Sequence, residues 1–111
     1  MRFDVSFAGG VTAARSLMAV AAEAGIDVEL ISYGHTVIQA ANLHVALAFG
    51  RTTYFEQAVP VEPWEHAVQN PIHTGPDGRA HVPQGTGLGI ELDQHMVEAA
   101  TIERVAVGDP R

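Results

Sequence analysis

Apolar positions fall into alternating short and long blocks over the first half of the chain. Phe3–Phe7 (FDVSF) is a short β-prone run that ends at Gly9–Gly10. An Ala-rich stretch follows, with Leu17, Val20 and Ala21 at helical spacing, Thr12 as its expected N-cap and Gly25 as its stop. Asp27–Ile31 (DVELI) reads as a second strand, apolar enough to be buried on both faces. Ser32–His35 is a loop, Thr36 an expected N-cap, and Val37–Ala48 a second helix closed by Gly50. Thr53–Phe55 (TYF), leading into Glu56, reads as a third strand. The order β-α-β-α-β with short links predicts an α/β fold with right-handed crossovers and a parallel sheet.

The pattern changes after Glu56. Five of the six prolines fall between residues 60 and 83, and Asp77–Gly78 marks a turn between Pro71–His73 and Arg79–Val82, predicting a small hairpin. Leu88–Leu92 (LGIEL) is strand-like, and Asp93 is placed to cap a short helix ending at Ala100. Such a long irregular stretch is expected to pack on something else. Three parallel strands would also leave two bare edges, open to association.

The composition sets limits on partners and chemistry. With 111 residues the chain has the length of one domain, and its net charge of −7 disfavours nucleic acid and anionic membranes. No run reaches the roughly 18 apolar residues of a membrane span, and the opening MRFDVSF does not resemble a signal peptide. Zero Cys excludes disulfides, thiol nucleophiles and thiolate metal sites, so a cytoplasmic location is expected. All six cationic side chains are Arg, which removes lysine Schiff-base and general-base chemistry from this chain.

Six histidines form no H-x-H or H-E-x-x-H pattern. His44, within NLHVAL, suits a hydrogen-bonded packing role, whereas His35 lies in a strand-to-helix loop where sites are built. The run Gly85–Thr86–Gly87–Leu88–Gly89 precedes a strand-like segment rather than a helix, so it reads as a tight turn and not a dinucleotide fingerprint. Gly9–Gly10–Val11–Thr12 opens a helix and could hold an anion, though a plain turn explains it equally. Asp4 and Glu56 are better candidates, because a strand carboxylate is costly to bury without a partner. Either is a site acid or a hydrogen-bonded structural acid.

FDVSFAGGVTAARSLMAVAAEAGIDVEL, the Tyr33–Gly34 loop, QAANLHVALA, TYFEQAVP and GPDGRAHVPQGTGLGIELD together resemble the C-terminal part of the enolase superfamily, in its mandelate racemase and muconate-lactonizing branch with the acid-sugar dehydratases. The resemblance implies the C-terminal portion of a TIM-like (β/α)7β barrel, about three parallel strands and two helices, over residues 1–59. Residues 60–111 would then be a Pro/Gly-rich tail returning to a capping domain.

In that family a proton is abstracted alpha to a carboxylate of a hydroxy-acid or acid sugar, and Mg2+ holds the enediolate. The strands that carry the metal ligands and the lysine base match nothing here, so no metal is expected on this chain alone. By resemblance Asp4 is the acid of a His–Asp dyad whose histidine position falls on Ile31. His35 would replace that histidine only if its loop folds back. Glu56 matches the acid that hydrogen-bonds the substrate, for which it must be protonated, and Tyr33 lies in the substrate loop. The expected partners are the missing barrel and capping portion, or a second copy, together with a small carboxylic acid. The chain is thus expected to be inactive alone, as an enzyme fragment, with a self-associating non-catalytic module or a truncated relic as the alternative.

Overall fold

The computed structural model describes residues 1–108. Two short parallel strands, β1 (Arg2–Phe3) and β2 (Glu29–Leu30), pair in the register Arg2 to Glu29 and Phe3 to Leu30. Helix α1 (Val11–Glu23) connects them, and α2 (Thr36–Phe49) follows β2. A single 3-10 turn at Glu62–Trp64 and the helix α3 (Gln94–Ala100) complete the regular structure.

The expected barrel portion with three parallel strands is not present: the sheet has two strands and is open, and the helices number three among the described residues. Side chains that take over backbone partners account for the short strands. The Asp4 carboxylate accepts from the Ser6 amide at 2.6 Å, which bends the chain into a turn, and the Val5 amide goes to the Asn42 side chain at 2.9 Å instead of to a neighbouring strand. Thr53–Phe55 does not form the third strand. One bond, from the Val28 amide to the Arg51 carbonyl (3.1 Å), starts a pairing that does not continue. Gln57 then anchors the chain toward α2 instead, donating to the Ile72 carbonyl (2.6 Å) and to Gln39 (3.3 Å).

The core lies between the sheet and α1 and α2, and it is built from Val5, Ala14, Met18, Ala21, Val28, Leu30, Ala41 and Val45. On α1 the buried positions Ala14, Met18 and Ala21 follow the helical period. Helix α2 is apolar nearly all round and so buries two faces. Ala41, Val45 and Ala46 meet the sheet-side core, while Ala40 and Leu43 join Ile72 in a second cluster. Phe55, Ala80, Val82, Leu88 and Ile90 pack against that second cluster. The part of the irregular tail that carries Ala80, Val82, Leu88 and Ile90 therefore lies against α2 of its own chain, because α2 offers a second apolar face.

Caps differ by a residue or two from expectation. Gly10 and His35, rather than Thr12 and Thr36, precede the two long helices. Gly50 ends α2 in the left-handed region, φ 60°, as its sequence position suggests. The predicted hairpin is reduced to one antiparallel bridge, Thr74 with Ala80, and Leu88–Leu92 contributes only the bridge from Leu92 to Val68. Asp93 caps α3 through the Met96 amide at 3.0 Å, as read. The Gly85–Gly89 run is a turn in which a Cβ at Gly89 would lie 2.6 Å from the Pro83 carbonyl oxygen. The last three residues of the predicted 60–111 tail lie outside the described residues.

Ser32 is fully buried just after β2, and its hydroxyl has no hydrogen-bond partner among the described residues. A buried orphan hydroxyl costs about 1–3 kcal/mol. Ser32→Ala is therefore expected to raise stability by about 1 kcal/mol, read as a higher urea midpoint at unchanged slope. A loss of stability would show that the hydroxyl is bonded in solution.

Candidate functional site

Asp4, Tyr33 and His35 lie on the segments that follow the two strands, whereas Glu56 lies beyond α2 and reaches Arg2 at the start of β1. Asp4 directly follows β1 and is buried. Its carboxylate accepts from the Asn42 amide (3.0 Å), from the Ser6 amide and from the Ser6 hydroxyl. Burial opposes the charge. The Ser6 hydroxyl, the Asn42 amide and the backbone N–H groups of Ser6 and Phe7 outweigh it and hold the carboxyl below its ordinary value of 3.8.

Asn42 joins three segments. Its Oδ1 accepts the Val5 amide, which fixes the amide orientation so that Nδ2 donates to Asp4 and to the Ile31 carbonyl (3.0 Å). The sequence carries a signal for this residue: a polar side chain on an apolar helix face must find partners. Among the residues of that run, only His44 stood out as a candidate. His44 takes the packing role expected, with Nε2 at 3.2 Å from the Leu88 carbonyl.

His35 makes two bonds of its own and none to Asp4 among the described residues. Its Nδ1 accepts the Val37 amide (3.4 Å) at the start of α2, which leaves the proton on Nε2 to donate to the His66 carbonyl (2.8 Å). This ring is a helix cap and a clasp to the 60s segment. His35→Ala is expected to cost about 1–2 kcal/mol by urea unfolding, the sum of a lost cap and a lost tertiary bond. An unchanged midpoint would rule out the clasp.

Glu56 pairs with Arg2 at 2.8 Å, and both side chains are substantially exposed. The pair lines an open cleft of about 490 Å³ with Glu29, Leu30 and Tyr54. Tyr33 is exposed and packs edge-on against Trp64, with ring centroids 5.0 Å apart at 62°. Among the described residues, Asp4, His35, Glu56 and Tyr33 make no hydrogen bond with one another; each is engaged elsewhere.

A Mg2+ ion needs several convergent oxygen ligands, usually carboxylates. Among the described residues no group of three or more His, Asp or Glu side chains is placed to hold a metal. The donor set here does not fit the ion. No helix among them is long and apolar enough to cross a membrane.

Residues 1–96 match the family described as Enolase C-terminal domain-like. A solved structure from Pseudovibrio sp., described as a mandelate racemase/muconate lactonizing enzyme, superposes with a TM-score of 0.88 at 41% identity. The alignment covers 92% of this chain and 27% of that one, so this chain spans about a quarter of the Pseudovibrio protein's length. No curated protein matches the chain.

Proposed function

The chain belongs to the enolase C-terminal domain-like family, related to the mandelate racemase/muconate-lactonizing enzymes, and on that premise we propose that by itself it is a non-catalytic, self-associating α/β module. The carrying observation is the open two-stranded sheet, beside which an exposed Tyr54 and the Arg2–Glu56 pair line an open cleft. Short open sheets are rarely stable unless their edges and faces are covered, and a second copy supplies such a cover. In this role Asp4 is a structural acid, since a carboxylate held in its charged form by several donors is a weak proton acceptor. In this reading residues 1–59 carry the open sheet, and the tail that begins at residue 60 packs on the second face of α2 through Ala80, Val82, Leu88 and Ile90. The cysteine-free composition suits a cytoplasmic location.

A second function is favoured by the 41% identity to the Pseudovibrio protein. Within a longer enzyme of the family, Glu56, Asp4, His35 and Tyr33 would face a small hydroxy-acid from which a proton is abstracted alpha to the carboxylate. Since the residues of this chain do not fit Mg2+, no metal-dependent step is assigned to them. Exchange of the α-proton of hydroxy-acids in D2O, followed by NMR with Mg2+ present, tests the non-catalytic reading of the isolated chain. The purified chain is expected to leave the α-proton signal unchanged, and catalysed exchange would overturn the non-catalytic role.

A further inference from the structure

One groove and one segment have no role in the site described above. A cleft of about 410 Å³ lies between the end of α2, the segment Thr52–Phe55 and the turn around Gly78. Leu43, Leu47, Phe55 and Ala80 make its walls apolar, and Arg79 supplies its cation. Among the described residues Arg79 makes no ion pair. The backbone groups of Thr52–Phe55 likewise have no backbone partner among them, so one wall is an open hydrogen-bonding edge.

The segment beyond α3 has the complementary character. Ile102, Val105 and Val107 are 101%, 77% and 92% exposed, in a stretch without helix or strand. At the two-residue period of a strand, Glu103, Val105 and Val107 share one face, and Ile102, Arg104 and Ala106 share the other. Arg104 is already held by both oxygens of Glu98 on α3, at 2.8 and 2.7 Å. The remaining face offers one acid followed by two valines, which matches a groove with one cation and apolar walls.

We propose that Ile102–Val107 of one copy docks strand-like along Thr52–Phe55 of a second copy, with Glu103 against Arg79 and the valines on Leu47 and Phe55. Such docking adds a strand through main-chain bonds while the side chains set the register. A reciprocal exchange closes a symmetric dimer with two equal contacts. This surface rests on the self-association proposed above and names where it occurs.

Sedimentation velocity of the full chain over a concentration series tests it. Val105→Asp is expected to weaken the dimer at least tenfold. Arg79→Glu and Glu103→Arg are each expected to weaken it about fivefold, and the double reversal to restore it to within about twofold. All three positions lie on exposed segments, and restoration by the double variant shows that neither reversal acts by unfolding. A dimer indifferent to Val105→Asp and to both single reversals overturns the docking and leaves self-association standing. A monomer at every concentration, including one whose tail occupies its own groove, overturns both.

Discussion

Asn42→Ala is expected to cost about 4 kcal/mol, a large share of the roughly 5–15 kcal/mol available to a domain of this size. The side chain is fully buried and joins the turn after β1, the end of β2 and the middle of α2 through three hydrogen bonds. Its removal strands the Val5 amide, the Ile31 carbonyl and one oxygen of a buried carboxylate. Each stranded neutral group costs about 1–3 kcal/mol and the carboxylate more, with a cavity cost added. Asn42→Leu keeps a side chain branched at Cγ and leaves no cavity, so a similar loss in both variants would assign the effect to the polar partners rather than to an empty space. A loss under about 1 kcal/mol in urea would show that the network does not hold the fold together.

Asp4→Ala is the next largest expected loss, about 3 kcal/mol near neutral pH, because it leaves the Asn42 amide and the Ser6 donors without their acceptor. It should also change how stability depends on pH. The folded-state pKa of Asp4 lies below 3.8, so the unfolded chain binds this proton first. The carboxylate's contribution is complete above that ordinary value and is lost as pH falls from it through the lower folded value. Urea midpoints measured between pH 7 and pH 2 should therefore fall less steeply for the variant than for the parent. Parallel acid limbs would mean that Asp4 is not the group linking protonation to unfolding.

The residues that carried structural information in the sequence were those whose role is local. Gly50 and Asp93 act within one turn of their helices, whereas of the apolar positions read on α1 only Ala21 faces the core, Leu17 and Val20 being exposed beside a buried face of Ala14, Met18 and Ala21. Strand extent was not legible in the same way, because it depends on partners far along the chain. Phe3–Phe7 has strand propensity throughout, yet the Asp4 side chain and Asn42, 38 residues on, take the backbone partners and end the strand early. Thr53–Phe55 fails as a strand for a related reason, its chain being drawn to α2 by Gln57.

In the candidate site the cost of burial finds Asp4, which is buried, but not Glu56, which pairs with Arg2 at the surface. The three-way link of Asp4 through Asn42 was hidden by an unremarkable Asn in an Ala-rich helix. His35 shows the opposite limit: a loop histidine before a helix reads as chemistry, whereas its two nitrogens are spent on the helix start and the His66 carbonyl. The two apolar faces of α2 explain the tail, but a continuous apolar run does not say what will cover each face.

Self-association of the isolated chain is the claim on which its proposed role depends. Sedimentation equilibrium of the purified full chain, run at several concentrations with and without Mg2+, tests it most directly. A folded dimer whose dissociation constant is indifferent to Mg2+ is the expected result. A folded monomer across the whole range, or a dimer that forms only when Mg2+ is added, would contradict it.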